Sequence, residues 1–189
     1  EFMDFFPLER RFGLTQSLLR KLSTWNRAMS DEDRERVIEA FASAAARACE
    51  AGFDLVELHG ATGYLLAQFL SGYTHKPKSP ADRKNGLEKR MAFPLRVLRE
   101  VKRRLPAGFP VGFRLLLREW VPDGIDLTES FAFARALEAE GVAYLSPSVG
   151  TYNSLFLPEV RKDMSRPGYL VEDTAALTRT VKIPTILSG

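Results

Sequence analysis

Short apolar runs alternate with helical segments along this chain, and this alternation constrains the fold more than any other feature. The runs lack the strict polar and apolar alternation of a strand that has one face in water. They are Phe53–Leu58, Val111–Leu117, Val142–Leu145 and Ile183–Leu187. Apolar strands that alternate with helices form a parallel sheet covered by helices. The sequence therefore predicts an α/β fold of the (β/α)8 TIM-barrel type, here with about four strand-helix units.

The length of the chain, 189 residues, fits one domain over residues 1–189. A complete barrel of this type needs about 250 residues, so we expect a half barrel or a fragment. A half barrel has two exposed strand edges and, we expect, an apolar inner face, which favours self-association or binding to a complementary half barrel. Three arrangements stay open: a piece of a longer protein, one of two chains that complete a barrel, and a rearranged relative with covered edges.

Composition argues against several classes of protein. The 27 basic and 24 acidic residues nearly balance, so no nucleic acid partner is indicated. No apolar run approaches the roughly 20 residues that cross a bilayer, and the single cysteine, Cys49, excludes an internal disulfide. His75 has no second histidine or cysteine nearby, so no metal site is predicted. These features are typical of a soluble, cytoplasmic protein.

Capping and turn residues predict the elements between the strands. Ser30 begins a helix that Gly52 ends, and Asp126 with Glu129 forms a cap pair for a later helix. Further helices are predicted at about Tyr64–Leu70, Leu87–Leu105 and Val171–Val181, and one within LTQSLLRKLSTW before Ser30. The segment Gly72–Gly86 has no hydrophobic period and is predicted to be an exposed loop.

Polar residues follow the first apolar run, at the point where a strand would end. His59 comes directly after Leu58, and Thr62 and Tyr64 follow within a turn that contains two glycines. Residues just past the carboxyl ends of barrel strands face the common mouth, where ligands bind. The sequence therefore predicts a functional site at this turn.

Four sequence stretches resemble the old yellow enzyme family of FMN-dependent ene-reductases, including its dienoyl-CoA reductase-like members. They are AGFDLVELHGATGYLLAQFLS at 51–71, LEKRMAFPLRVLREVK at 87–102, GFRLLLRE at 112–119 and GTY at 150–152. The resemblance runs from Met29 to Gly189. It implies a barrel that holds FMN at its mouth and reduces an activated carbon-carbon double bond of a small, enone-like substrate with electrons from NAD(P)H.

The resemblance also implies catalytic roles. His59 matches the first of two residues that donate hydrogen bonds to the substrate oxygen. Thr62 stands where the family has the second donor, a histidine or asparagine, and its hydroxyl is shorter. Tyr64 matches the tyrosine that protonates the substrate carbon. On the residues alone, His59 could instead satisfy backbone groups at a strand end, and Tyr64 could pack against a helix start.

Cofactor roles are implied for two further residues. Arg114 matches the arginine beside the flavin pyrimidine ring, although an internal carboxylate is an alternative partner for a cation in an apolar strand. Gly189 lies where the family begins its phosphate-binding backbone, so we expect the isolated chain to hold FMN weakly or not at all. Arg90 also matches a family arginine, and a structural salt bridge explains it equally well.

Three functions are therefore compared. The favoured one is an FMN-dependent ene-reductase that is active in a complete form. The main alternative is a non-catalytic half-barrel scaffold or assembly module that has lost flavin binding, suggested by Thr62 and by the altered segment after Gly72. A weaker alternative is a barrel lyase or isomerase that uses His59 and Tyr64 without flavin.

Overall fold

The computed structural model describes residues 29–75, 80–152 and 154–188. Along these ranges the elements are α1 (Asp31–Glu50), β1 (Val56–Gly60), α2 (Leu65–Leu70), α3 (Gly72–His75), α4 (Pro80–Arg104), β2 (Val111–Leu116), α5 (Leu127–Ala139), β3 (Leu145–Ser148), α6 (Pro158–Met164) and α7 (Val171–Thr178). The segment LTQSLLRKLSTW and Gly189 lie outside the described residues. No described helix combines the length and the apolar character needed to cross a membrane.

The three strands form one parallel sheet in the order β1-β2-β3. His59 of β1 pairs with Arg114 of β2, and Arg114 pairs with Ser146 of β3. Parallel neighbours joined by helical crossovers are the arrangement of a barrel wall. The described part of the chain therefore has the predicted α/β architecture, with all three strand ends at one edge.

The two faces of the sheet differ in polarity. Leu58, Phe113 and Leu115 are buried on one face, where the Phe113 ring meets Phe133 of α5 edge to face at a centroid distance of 5.4 Å. Side chains of a strand alternate between faces, so the residues between them lie on the other side. This polar face carries Glu57, His59, Gly112 and Arg114. The expectation of an apolar inner face is wrong for this part of the sheet.

The strand positions differ from the sequence prediction in three of four cases. Strand β2 agrees with Val111–Leu117 to within one residue. Strands β1 and β3 begin three residues later than predicted, and Phe53 and Leu55 before β1 are 64% and 43% exposed. Pairing sets these starts, since Val56 N donates to Pro110 O at 3.2 Å. The predicted strand Ile183–Leu187 is reduced to an isolated parallel bridge between Thr185 and Leu145.

Helices α1, α2, α4, α5 and α7 lie where the sequence predicts helices, and a side-chain cap fixes the start of α1 and of α5. Ser30 caps α1 through its hydroxyl, and Asp33 completes a capping box. The predicted loop at Gly72–Gly86 is wrong, because α3 and the start of α4 occupy most of it. Helix α6 lies in a stretch for which the sequence predicts no helix or strand. Packing against neighbouring elements stabilises such segments without a clear hydrophobic period.

The basic residues of α4 form ion pairs with the neighbouring helices. Arg96 and Arg104 pair with Glu35 and Glu39 of α1 at 2.8 and 2.7 Å. Lys102 donates to the carbonyl of Gly141 just after the carboxyl end of α5, at 2.7 Å. These cations hold helices together and stabilise a helix carboxyl end.

A buried ion pair connects three helices at the mouth end of the sheet. Asp126 caps α5 as predicted, but the Glu129 carboxylate turns away from the cap to Arg90 of α4. The two Arg90–Glu129 distances are 2.6 and 3.2 Å, and Arg90 also donates to the Leu70 carbonyl of α2. Arg90 is only 5% exposed. The structural salt bridge, one of two explanations for Arg90, is thus present.

Replacing Arg90 by methionine should lower the free energy of unfolding by about 3 to 5 kcal/mol, because the substitution leaves the Glu129 carboxylate buried without its cation. Urea denaturation measures this change. The control is Arg96→Met at an exposed pair, with an expected loss below about 1 kcal/mol. Equal losses in the two variants would contradict a special role for the buried pair.

Candidate active site

His59 lies inside β1, as the fourth of its five residues, and does not follow the strand as predicted. Its side chain is exposed on the polar face, with Arg114 as its partner residue on β2. The pKa of His59 lies below its ordinary value, first because of partial desolvation and second because of the positive charge of Arg114. Glu57 opposes this shift. The imidazole is therefore mostly neutral near neutral pH, with one N–H to donate.

The turn after β1 is tied to the chain after β3. Thr62 forms an isolated parallel bridge with Thr151, and a Cβ added to Gly63 would lie 3.2 Å from the Thr151 Cβ. Gln68 of α2 donates from Nε2 to the Gly63 carbonyl at 2.7 Å. Thr62 has a left-handed backbone with φ of 59°, which is rare for a β-branched residue. The turn therefore has a fixed shape that Thr62 adopts under strain.

Tyr64 and Tyr152 form a hydrogen-bonded pair at the mouth. Their hydroxyl oxygens are 2.7 Å apart, and their rings meet edge to face at a centroid distance of 5.9 Å. The Tyr64 ring also lies 5.0 Å from the His59 ring. The hydrogen bond to Tyr152 raises the pKa of Tyr64, so its phenol keeps its proton at neutral pH. Both tyrosines are 45% exposed and accessible to a ligand.

Sequence reasoning missed Tyr152 as a site residue. It lies in the turn after β3, 88 positions from Tyr64, and the Thr151 N–H donates to Ser154 Oγ at 2.9 Å to hold that turn. Two signals were available, namely the GTY motif and its place after a strand end. The carboxyl ends of parallel strands meet at one edge, so a tyrosine there can reach the first turn.

Arg114 has a carboxylate partner within the chain. Its Nε donates to Glu57 Oε1 at 2.9 Å, which is the internal carboxylate that the sequence left as the alternative. Its terminal nitrogens, Nη1 and Nη2, hydrogen-bond to none of the described residues. The side chain is 37% exposed. One edge of the guanidinium is thus held, and the other is free to bind a ligand.

The structure brings four residues together at the mouth. His59, Tyr64 and Tyr152 are linked by ring contacts, and Arg114 pairs with His59 across the strands. Thr62 lies in the same turn, with no hydrogen bond from its hydroxyl to His59 or Tyr64. Gly189 lies outside the described residues. Within the described ranges, no cluster of three histidine, cysteine, aspartate or glutamate side chains could hold a metal ion.

Comparison with known proteins shows which family the chain matches. A family model described as NADH:flavin oxidoreductase / NADH oxidase matches residues 10–189. The chain is 37% identical over 171 residues to NADH oxidase of Thermoanaerobacter brockii, covering 89% of this chain and 25% of that protein. It is 31% identical over 180 residues to cinnamate reductase of Clostridium sporogenes, covering 86% and 26%.

A solved structure is similar to the chain over most of its length. A complex of 2-naphthoyl-CoA reductase with 2-naphthoyl-CoA superposes with a TM-score of 0.75 at 26% identity. The match covers 85% of this chain and 24% of that one. The chain thus spans about a quarter of the length of these three proteins. The resemblance found in the sequence and the barrel-type α/β fold are both confirmed.

Replacing Thr62 by asparagine should raise the free energy of unfolding by about 1 kcal/mol, because asparagine tolerates a left-handed backbone better than threonine does. Thermal or urea denaturation measures the change. Thr62→Val is the matched control, since it keeps the β-branched shape, and we expect no gain from it. A gain of the same size from valine would show that backbone strain is not the cause.

Replacing Arg114 by methionine should raise the pKa of His59, because the nearby positive charge disfavours protonation of the imidazole. Histidine C–H resonances followed by NMR over a pH titration measure the shift, and His59→Gln identifies the resonance. His75, whose pKa is lowered mainly by burial, is the internal control and should be unchanged. An unchanged His59 would refute the electrostatic coupling between these residues.

Proposed function

Because the chain belongs to the NADH:flavin oxidoreductase / NADH oxidase family, that of the old yellow enzymes, we propose that it forms part of an FMN-dependent ene-reductase. The reaction is the reduction of an activated carbon-carbon double bond in a small, enone-like molecule, with electrons from NADH or NADPH. The names of the cinnamate and 2-naphthoyl-CoA reductases, which denote conjugated substrates, support this class of substrate.

The residues of the polar face fit a flavin. Arg114 offers a cation whose terminal nitrogens have no hydrogen-bond partner among the described residues, and a fixed cation stabilises negative charge on a reduced flavin. When bound, FMN supplies the electrons that the protein's own side chains cannot carry. Arg114 would hold the pyrimidine edge of this group, while His59 and Tyr64 would act on the substrate.

One observation carries this proposal. Two hydrogen-bond donors, the neutral His59 imidazole and the Tyr64 phenol, lie side by side at 5.0 Å between ring centres, on the same edge of the sheet as Arg114. A neutral imidazole and a phenol with a raised pKa both keep a proton to donate at neutral pH. An ene-reductase requires this combination of an oxygen-binding donor, a proton donor and a fixed cation.

The two donors have different tasks in the proposed reaction. His59 donates an N–H to the carbonyl oxygen of the substrate, where negative charge grows as the double bond is reduced. A donor placed in advance toward such charge contributes about 2.7 to 4 kcal/mol in the transition state. Tyr64 gives its phenol proton to the substrate carbon, as a general acid must from within about 3 Å.

Tyr152 supports Tyr64 in this role. The 2.7 Å hydrogen bond fixes the rotation of the Tyr64 hydroxyl and offers a route by which its proton is replaced from solvent, since Tyr152 is exposed. In the complete protein, Thr62 would add a hydroxyl near the substrate oxygen. The proposal thus includes three further roles: Thr62 as a hydrogen-bond donor, Arg114 as a contact of the flavin and Gly189 as a contact of its phosphate.

Replacing Tyr64 by phenylalanine in the flavin-loaded protein should slow reoxidation of the reduced flavin by an enone about 100-fold or more, the scale of a lost general acid. Reduction of the flavin by NADH or NADPH should be spared, because that step needs no proton from Tyr64. Stopped-flow absorbance measures the two half-reactions separately. His59→Ala should also slow only the enone step, and it should weaken enone binding.

Two further tyrosine variants make this test specific. Tyr152→Phe should slow the enone step less than Tyr64→Phe does, because it removes only the partner of the acid. Tyr169, which packs against the core and makes no ring contact with Tyr64 or Tyr152, provides the matched control, and Tyr169→Phe should change neither half-reaction. Equal slowing of both half-reactions by Tyr64→Phe would assign Tyr64 a packing role and contradict the proposal.

A further inference from the structure

Arg114 is a charged residue in a strand whose neighbours are buried leucine and phenylalanine side chains. Phe113, Leu115 and Leu116 are each at most 1% exposed. A long, flexible cation at such a position adopts one orientation only if another group fixes it. Its single hydrogen bond to a described residue runs from Nε to Glu57 Oε1 at 2.9 Å. The orientation of the guanidinium therefore depends on Glu57.

The position of Glu57 is set by the strand register. Glu57 pairs with Gly112, which places it two residues before Arg114 along the same face. Its carboxylate reaches diagonally across the strands to the guanidinium, and its side chain is 24% exposed. Both partners project from backbone that is fixed by parallel pairing, so the contact is anchored at both ends.

Tyr144 supports Glu57 from the adjacent chain segment. The Tyr144 ring lies over Gly112, where an added Cβ would stand 2.2 Å from the Tyr144 Cζ. A side chain at position 112 would therefore displace the ring. Burial raises the pKa of the Tyr144 phenol, and the negative charge of nearby Glu57 adds to this. The phenol thus stays protonated and can donate to Glu57.

We propose that Glu57 is the positioning residue for Arg114: it holds the guanidinium through Nε and directs Nη1 and Nη2 to the flavin. This inference rests on the proposed function. It gives a role to Glu57 and Tyr144, neither of which takes part in the proposed reaction. Glu57 acts through Arg114 and does not itself touch the reacting atoms.

The reduction potential of the flavin distinguishes two roles for Glu57, positioning of Arg114 and simple neutralisation of its charge, because the two roles predict shifts of opposite sign. If Glu57 only neutralised Arg114, its removal would strengthen the positive field and raise the reduction potential of the flavin. If Glu57 positions Arg114, its removal lets the cation leave the flavin, and the potential falls toward that of Arg114→Met. A tenfold loss of preference for the reduced flavin corresponds to a fall of about 30 mV for a two-electron couple.

The first measurement uses the chain without flavin. The Arg114 Nε–H signal in a ¹⁵N NMR spectrum, identified by its loss in Arg114→Lys, should exchange with water at least tenfold faster in Glu57→Ala. Glu57→Gln keeps an acceptor oxygen and should largely restore protection. Glu35→Gln removes a carboxylate from the exposed Arg96 pair, 2.8 Å apart, and is the matched control with no expected effect.

The second measurement is the midpoint potential of the flavin-loaded protein. Glu57→Ala should lower it by about 30 mV or more, whereas Glu57→Gln should leave it at or above the wild-type value. Glu57→Ala added to Arg114→Met should cause no further fall, because Glu57 acts through Arg114. Tyr144→Phe should show a smaller change in the same direction as Glu57→Ala.

Two outcomes would overturn the inference. One is an unchanged Arg114 Nε–H signal in Glu57→Ala, and the other is a potential that rises in that variant. A complete protein that binds no flavin would instead refute the proposed function. In that case the NMR measurement alone would still decide whether Glu57 holds Arg114.

Discussion

The register between β1 and β2 is the constraint on which the site depends. Pairing of His59 with Arg114 places both on the polar face and leaves Leu58 and Phe113 in the core. Side chains alternate with a period of two, so a slip of one residue would bury His59 and expose a leucine. The apolar contacts that stabilise the sheet therefore also fix the geometry of the candidate site. The register that buries the apolar side chains is thus the same register that assembles the site.

Local signals were enough to predict the elements that depend on local interactions. The Ser30 cap and the strand at Val111–Leu117 were found in the sequence, because a helix cap and a continuous apolar run can be recognised without knowing a distant partner residue. The starts of β1 and β3 were misplaced by three residues because hydrogen bonds to the neighbouring strand decide them. The last strand is reduced to a bridge at Thr185 for the same reason.

The candidate site could be predicted only in part. His59 and Tyr64 are five positions apart in the sequence, so a motif was enough to associate them. The partners Tyr152 and Glu57 reach the site from another turn and across the sheet. Their contacts depend on register and strand order, which composition and periodicity do not encode. Arg114, as a cation in an apolar strand, indicated that a partner was needed, but the sequence did not identify Glu57 as that partner.

Burial and charge on the polar face act together on His59. Desolvation is the largest cause of its lowered pKa, and the positive charge of Arg114 lowers the pKa further. The negative charge of Glu57 opposes both, so the imidazole is held neutral mainly by desolvation. Tyr64 keeps its proton because Tyr152 stabilises the phenol form. The face can therefore stabilise charge that grows during a reaction without carrying a large net charge beforehand, which is the electrostatic condition for preorganised catalysis.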